Sequence, residues 1–351
     1  MNIHHYIGFD VHKKSISYCV KTADGKIVEE GALKATHEAL EEWARKRTEP
    51  WHGAMEATIF SAWIYDGLKP FAAKLDMGHP AMMKALSASK KKNDRVDARK
   101  IADMVRCNIL PTCYVAPPEI RNLRRQLRYR NLVVEQSVQM KNRMSGLLME
   151  VGVEYNKKRL HGAKYFNELL DQLADVPESV KELLQLGRGA LETFTATQRK
   201  LLDRLQQDPR LKKRVELLRT IPGVGEVTAL TWALEVCDPK RFPSIGDAVS
   251  YCGLTSAQNS SAGKDKRGPI SKQRNAHLQT VLVEAAKLAP RWNKQLAEVH
   301  ERELKNGHRN RATLEVARKL VAYLLAVDRS GKPFQVRNQP IKETTEVTTT
   351  A

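Results

Sequence analysis

The sequence has few cysteines, few aromatic residues and no long apolar run. Its five cysteines in 351 residues are scattered without a C-x-x-C pair, so we expect neither a disulfide framework nor a zinc site. The N-terminal residues lack the basic and apolar regions of a secretory signal. The longest late apolar run, residues 320–327, is far shorter than the roughly 20 residues that span a bilayer. We therefore expect no membrane partner and a reducing, cytoplasmic location.

Basic charge is what the chain has in excess. Lys and Arg number 59 against 40 Asp and Glu, which gives a formal net charge of +19. Such an excess favours a polyanionic partner, and with the membrane set aside that partner is a nucleic acid. Charge alone still allows a basic scaffold without enzymatic activity.

Strand-like and helix-like segments alternate over residues 1–115. Short β-branched or aromatic runs predict strands, whereas apolar residues spaced by three and four predict helices. The Asp24-Gly25 turn indicates antiparallel hairpins at the start of this α/β domain. We predict strands at 5–10, 15–20, 26–31, 51–56 and 75–79, and helices at 36–47, 60–68 and 94–107.

The rest of the chain is predicted to be helical. Pro117 and Pro118 mark a boundary, and the Leu-, Gln-, Lys-, Arg- and Glu-rich sequence beyond them lacks strand signals. A polar insertion at residues 255–274 interrupts the later helices. The predicted divisions are the α/β domain at 1–115, a long helical, coiled-coil region at 116–211, a mainly α C-terminal domain at 212–336 and a disordered tail at 337–351.

Four carboxylates are candidate site residues. Asp10 and Glu56 each end a predicted strand, where a buried carboxylate must be paired or bound to a metal. Asp94 and Asp97 share a helix face whose buried stripe continues toward them, so we expect both to point at the sheet. Alternatively, these two merely complement the helix dipole. Four acids that converge would suit Mg²⁺ or Mn²⁺, and two such ions promote phosphoryl transfer.

Three motifs carry a family resemblance. The runs I-G-F-D-V-H at 7–12, M-E-A-T at 55–58 and K-N-D-R-V-D-A-R-K-I-A at 92–102 resemble the DEDD insertion-sequence recombinases, relatives of the Piv and MooV invertases. The resemblance implies a RuvC-like (RNase H-like) N-terminal domain. It also implies a metal-binding tetrad made of Asp10, Glu56, Asp94 and Asp97. His79 stands where the family often has asparagine, and we assign it no role.

Basic clusters and a glycine turn are candidate nucleic-acid contacts. Arg121, Arg124, Arg125 and Arg128 form a helical stripe without interleaved acids, which is either a solvated face or an anion-binding one. A run of three lysines, Lys90, Lys91 and Lys92, precedes the tetrad helix. Gly223 and Gly225 lie before a predicted helix and resemble a helix-hairpin-helix phosphate contact, although an ordinary helix-linking turn has the same pattern.

A serine-containing basic loop is the last candidate. Its cations are Lys264, Lys266, Arg267, Lys272 and Arg274. Serines in such loops usually bind phosphate and seldom act as nucleophiles. The runs S-S-A-G-K at 260–264 and G-P-I-S-K at 268–272 nevertheless resemble the family motif that includes a DNA-attacking serine, with Ala262 and Pro269 as departures. The resemblance assigns that role to Ser260, with Ser261 as the close alternative.

The resemblance therefore implies a DNA transposase or site-specific recombinase that acts through a covalent phosphoserine intermediate. It further implies a homodimer or homotetramer joined through the helical middle, with a site shared between protomers. The implied partners are double-stranded donor and target DNA and a guide, or bridge, RNA. Three other classes stay open: a RuvC-like nuclease that uses water, an ATPase of the actin and sugar-kinase type, and a DNA-coating protein without activity.

Overall fold

The computed structural model describes residues 3–86, 93–261 and 264–335, with the backbone alone for 259–261 and 264–267. The chain divides into two compact units, Met1–Pro118 and Glu119–Ala351. These two units do not test the finer division predicted at residue 211, which stays a prediction. The predicted disordered tail lies outside the described residues.

The first unit is a mixed α/β fold with a five-stranded sheet. Its described elements are β1 His5–Val11, β2 Ser15–Lys21, β3 Ile27–Lys34, α1 His37–Arg45, β4 Trp51–Glu56, α2 Ser61–Leu68, β5 Lys74–Gly78, α3 Pro80–Leu86 and α4 Asp94–Arg106. The order of strands in the sheet is β3-β2-β1-β4-β5. Strand β2 is antiparallel to both β1 and β3, whereas β4 is parallel to both β1 and β5. The predicted strands and helices are confirmed, and α3 is an additional helix that the sequence patterns do not predict.

The two faces of the sheet carry different layers of helix. Ile7 and Phe9 of β1 are fully buried in the apolar cluster that includes Leu40 of α1 and Ile64 of α2. Because side chains alternate along a strand, the even-numbered positions of β1 face the opposite side. Helix α4 covers that side, where Ala54 of β4 packs in a second apolar cluster with residues of α4.

Gly8 allows α4 to lie directly on β1. A Cβ atom at Gly8 would be 2.1 Å from the carbonyl oxygen of Ala98 and 2.4 Å from the amide nitrogen of Ala102. Any larger residue would push the helix off the strand. Asn93 caps α4 by accepting a hydrogen bond from the amide of Arg95 at 3.0 Å, which fixes where the helix begins. The first turn of α4 therefore lies close above the end of β1.

The second unit is mainly helical. In the part of it that the structure describes, the elements are α5 Pro118–Glu150 (which begins at the last residue of the first unit), α6 Ala163–Asp171, α7 Glu178–Gln207, α8 Pro209–Leu218, α9 Glu226–Val236, α10 Ile245–Tyr251, β6 Ser256–Ser261, β7 Lys264–Ile270, α11 Ala276–Leu288, α12 Lys294–Lys305 and α13 Arg309–Ser330. Its main core surrounds α9, in which Trp232 is fully buried. The long helices α5 and α7 share a smaller cluster that includes Met144 and Leu184, and their coiled-coil character stays a prediction.

The predicted polar insertion contains a β-hairpin. Strands β6 and β7 pair antiparallel in a separate two-stranded sheet. Their residues are mostly Ser, Asn, Lys and Arg, so they show none of the apolar alternation by which a half-buried strand is recognised. Among the described residues, no helix combines the length and apolar character needed to cross a membrane.

Candidate active site

Two of the four candidate carboxylates meet a histidine at the end of β1. Asp10 Oδ2 lies 3.1 Å from His12 Nε2, and Asp94 Oδ1 lies 3.6 Å from the same nitrogen. One potential ligand atom from each of these three residues lies within 4.8 Å of the other two. Strand β1 and the first turn of α4 therefore bring residues 84 positions apart into one cluster that could hold a metal ion.

The charge of Asp97 reaches the same cluster. Burial raises the pKa of Asp10 above its ordinary value; His12 opposes that rise, whereas the negative charges of Asp94 and Asp97 add to it. Asp97 Oδ1 also lies 3.3 Å from Lys100 Nζ on the same helix. A bound cation would offset the negative charges that raise the pKa of Asp10.

Glu56 lies on the same side of the sheet as Asp10. The last parallel pair between β1 and β4 is Phe9 with Met55, and Asp10 and Glu56 are the next residues on their strands. Met55 points into the core with Phe9, so the alternation of the strand turns Glu56 to the face covered by α4. Glu56 is half-buried and also pairs through its backbone with Gly78 of β5.

Asp94 corrects one part of the sequence-based expectation. We expected both aspartates of α4 to point at the sheet, but 54% of the Asp94 side chain is exposed, against 30% for Asp97. The buried stripe of α4 begins only at Ala98, because the first turn extends beyond the end of β1. Asp94 therefore lies on the solvent side of the cluster, and His12 lies near both Asp94 and Asp10.

His12 is a site residue that the sequence-based reasoning missed. The 7–12 motif contains His12, two positions after Asp10, but the resemblance assigns it no role. A separation of two along an extended chain puts both side chains on one face, and that spacing was the available signal. Its ring is 46% exposed, so it can be approached from solvent as well as from the carboxylates.

In the arginine stripe on α5, Arg124 and Arg128 contact helix α9. Arg128 donates two hydrogen bonds of 2.8 Å to Glu235 of α9, and Arg124 donates to the carbonyl oxygen of Leu234. The acid that the stripe lacks within its own helix thus comes from another helix. Arg125 is exposed and Arg121 is half-buried. For all four residues, nucleic-acid binding stays a prediction.

The glycine turn joins α8 to α9 as a helix pair. Gly223 has φ +91°, and a Cβ atom there would lie 2.5 Å from Cβ of Ala289, so packing and backbone conformation both require glycine. Gly225 precedes the first residue of α9, is exposed and has open space around its Cβ position. For both glycines, contact with a phosphate stays a prediction.

The candidate serines lie in the backbone of β6. Ser260 pairs with Asp265 and Ser261 with Lys264, next to the tip of the hairpin. The structure describes no side chain for these serines or for Lys264, Lys266 and Arg267, and Lys90, Lys91 and Lys92 lie outside the described residues. Lys272 and Arg274 follow the hairpin and are exposed. The roles predicted for all of these residues stay predictions.

Two family models match separate parts of the chain. Residues 7–152 match a model of the IS110 DEDD type described as a transposase. Residues 215–301 match a model described as the transposase IS116/IS110/IS902 family. The first match spans the four candidate carboxylates, and the second spans the hairpin with its two serines.

Curated relatives have related names. The transposase for insertion sequence element IS1328 of Yersinia enterocolitica is 27% identical over 69% of this chain and 73% of its own length. The transposase for IS1111A of Coxiella burnetii is 26% identical over 56% of this chain and 54% of its own. The transposase for IS1533 of Leptospira borgpetersenii is 24% identical over 67% of this chain and 70% of its own. In other relatives the matched region covers as little as half of the protein.

Proposed function

The chain belongs to the IS110/IS116 family of DEDD transposases, enzymes that cut and rejoin DNA, and from that premise we propose a specific reaction. The reaction is phosphoryl transfer on DNA at the carboxylate cluster of the first unit. The observation that carries this proposal is the meeting of Asp10, His12 and Asp94 within 4.8 Å, with the charge of Asp97 acting on Asp10. The five-stranded sheet with acids at the ends of β1 and β4 supports an RNase H-like, RuvC-type fold.

The donor set fits a hard divalent cation. The DEDD domain type indicates dependence on a divalent metal, and carboxylate oxygens are the ligands that Mg²⁺ and Mn²⁺ prefer. We propose that Asp10, Glu56, Asp94 and Asp97 hold Mg²⁺ or Mn²⁺, with His12 at the edge of the site. A bound ion would supply Lewis-acid polarisation of the phosphate and stabilise the attacking or leaving oxygen. The chain's own part is to hold these carboxylates together in spite of their mutual repulsion.

The nucleophile that we propose is Ser260, with Ser261 as the alternative. Its hydroxyl oxygen would bond to the phosphorus of a phosphodiester, the bond to one deoxyribose oxygen would break, and that oxygen would gain the proton that serine loses. In this intermediate the phosphate stays esterified to both DNA and serine. A DNA hydroxyl can then attack the phosphorus, which forms a new DNA phosphodiester and releases the serine. Support comes from the motif resemblance and from the family match across the hairpin.

The proposed partners are DNA, RNA and further copies of the chain. The net charge of +19 and the exposed side chains of Arg125, Lys272 and Arg274 suit contacts with the phosphate backbone. The guide RNA, and the homodimer or homotetramer that shares its site between protomers, are inferred from the family resemblance of the sequence. We propose them as the arrangement in which donor and target DNA are brought together.

Trapping of a covalent DNA adduct tests this function. The protein is incubated with donor and target DNA, with RNA transcribed from the DNA that flanks its gene, and with Mg²⁺. It is then denatured, and the residue that is attached to DNA is mapped. We expect an adduct on Ser260 or Ser261 that Asp10→Asn abolishes and that the matching serine-to-alanine variant also abolishes. Ser256→Ala, on the same strand β6, is the control and should leave the adduct intact.

A metal-dependent nuclease is the second candidate function. The carboxylate cluster could activate water without any serine, and this cluster is the observation that favours the alternative. If a double variant of Ser260→Ala and Ser261→Ala still cuts DNA at the full rate without an adduct, the recombinase proposal is wrong and the nuclease stands.

A further inference from the structure

Glu30 is a buried acid on the edge strand β3, outside the carboxylate cluster. Only 6% of its side chain is exposed. Arg95 donates to Oε2 from Nε at 2.7 Å, and Arg99 donates to the same oxygen from an Nη at 2.6 Å. Arg99 Nε makes a further, short contact with Oε1. Both oxygens of Glu30 are thus occupied by guanidinium groups of α4.

These contacts keep Glu30 charged. The hydrogen bond from Arg99 lowers the pKa of Glu30 to about 2, against the opposing effect of burial, and Arg95 adds to the decrease. Because its oxygens are committed to arginine, Glu30 is not available as a metal ligand. Its role is to bind the helix that carries Asp94 and Asp97.

The two arginines and the two aspartates alternate within the first turns of one helix. Arg95 and Arg99 are four residues apart, so they share the face of α4 that turns to β3. Asp94 and Asp97 lie on the face toward the end of β1. Helix α4 also rests on Gly8 without room for a side chain between them. Any rotation or sliding of its first turn therefore moves both aspartates relative to Asp10.

We propose that Glu30 is a positioning residue for the metal centre: its ion pairs with Arg95 and Arg99 fix the first turn of α4 and so hold Asp94 and Asp97 opposite Asp10. The same pairs keep two guanidinium groups on the β3 side, where they do not neutralise the carboxylates. This inference rests on the proposed function, because it takes the carboxylates to be metal ligands.

The opposite end of α4 offers a matched control. There, Lys21 of β2 lies 2.6 Å from Asp103, so this pair also ties α4 to the sheet, but two turns away from Asp97. Asp103→Asn should loosen the helix without changing the position of its first turn. Glu30→Gln keeps the shape of the side chain and removes its charge.

Binding of Mn²⁺ to the purified full-length protein tests the inference. Affinity is measured by electron paramagnetic resonance of free Mn²⁺, together with the thermal unfolding midpoint, for wild type, Glu30→Gln, Asp103→Asn and Asp10→Asn. Residues that orient ligands contribute about 10- to 100-fold to metal affinity. We therefore expect Glu30→Gln to weaken Mn²⁺ binding at least tenfold and Asp103→Asn to leave it unchanged, although both lower the unfolding midpoint.

The outcomes separate this inference from the function on which it rests. If Asp10→Asn leaves Mn²⁺ binding unchanged, the metal site itself is wrong. If Asp10→Asn abolishes binding and folded Glu30→Gln binds like wild type, or if Asp103→Asn weakens binding as much as Glu30→Gln, Glu30 is only a structural residue. Should Glu30→Gln fail to fold, Arg99→Gln removes one of the two guanidinium groups and should weaken Mn²⁺ binding severalfold, and unchanged binding in that variant contradicts the inference.

Discussion

Each of the two units contains a buried glutamate held by two arginines that are four residues apart on a helix. In the first unit, Glu30 binds Arg95 and Arg99 of α4. In the second unit, Glu235 binds Arg128 at 2.8 Å and lies 3.6 Å from Arg124, both on α5. The arrangement of charges is the same, whereas the depth and the neighbours differ.

The difference shows what each glutamate does. Glu235 has no exposed side-chain surface, and it also accepts a hydrogen bond from Asn275 at the start of α11. Burial raises its pKa, but Arg128, Asn275 and Arg124 together bring the pKa below its ordinary value. Glu235 thus joins three helices of a core, whereas Glu30 fixes a single helix whose first turn carries the site residues Asp94 and Asp97.

Removing the charge of Glu235 should have the largest effect on stability. Glu235→Gln leaves Arg124 and Arg128 without their acid in a low-dielectric environment. Loss of one partner of a buried pair costs several kcal/mol, and because 45% of the Arg128 side chain is exposed we expect about 3 kcal/mol. Urea denaturation followed by circular dichroism measures this change in the free energy of unfolding.

An exposed acid of the same unit is the control. Glu216→Gln on α8 should change the free energy of unfolding by less than about 0.5 kcal/mol, as surface substitutions usually do. Equal effects of the two variants would show that Glu235 is held no more tightly than a surface acid, and the comparison between the two glutamates would then fail.

The second prediction concerns acid stability in the first unit. The pKa of Glu30 lies at about 2 in the folded protein, below its ordinary value of 4.5. Its contribution is therefore fully present above pH 4.5 and is lost as the pH falls toward 2. The full shift would correspond to about 2 kcal/mol between pH 5 and pH 3, but Arg95 and Arg99 are partly exposed and solvent screens the pair. We therefore expect wild type to lose about 1 kcal/mol relative to Glu30→Gln over this range.

Denaturant unfolding at a series of pH values measures this difference. Glu29→Gln is the matched control, because Glu29 is the adjacent residue of β3 and pairs with Arg47 on the other face of the sheet. Its side chain is 40% exposed, so its pH-dependent difference from wild type should be smaller. Parallel pH curves for wild type and Glu30→Gln would show that Glu30 is not held in its charged form.

The two glutamates also show how far the sequence could predict this molecule. Local patterns place Asp10 at the end of a strand and Asp97 on the face of α4 that turns to the sheet, although they do not predict the exposure of Asp94. The partner of the α5 arginines could not be found in this way, because Glu235 follows Arg128 by 107 residues and meets it only in the folded core. Local patterns predict which face a residue occupies, whereas long-range pairing needs the tertiary structure.

Other differences have similar physical causes. Strands β6 and β7 are polar on both faces, so no alternation indicated them. Helix α3 has only seven residues and begins at Pro80. Met83 is its one buried residue, and a single buried position cannot show a helical period. His12 lies two residues after Asp10, and in an extended segment this spacing predicts that the two side chains share a face.

His12 provides the third prediction, which concerns the carboxylate cluster of the first unit. Imidazole nitrogen suits borderline metals such as Co²⁺ better than Mg²⁺. His12→Ala should therefore weaken Co²⁺ binding by about tenfold or more and leave Mg²⁺ binding nearly unchanged. Calorimetric titration with each metal measures the ratio. His4→Ala is the control, since His4 is an exposed histidine 3.7 Å from Glu49 and outside the cluster. Equal losses for both metals would contradict a ligand role for His12.

The smallest expected effect concerns the arginine stripe of α5. It distinguishes Arg128, which binds Glu235, from Arg125, for which we propose a contact with nucleic acid. Arg125 lies between Arg124 and Arg128 in sequence and is exposed, whereas Arg128 donates two hydrogen bonds to Glu235. Arg125→Gln should change the free energy of unfolding by less than about 0.5 kcal/mol and lower the slope of log affinity against log salt for DNA by about one. Arg128→Gln should do the opposite, lowering stability and leaving the slope unchanged, because its guanidinium already binds Glu235. Filter binding over a range of salt concentrations measures both slopes. If instead Arg128→Gln reduces the slope and Arg125→Gln does not, the stripe contacts DNA through the arginines that we assign to the core.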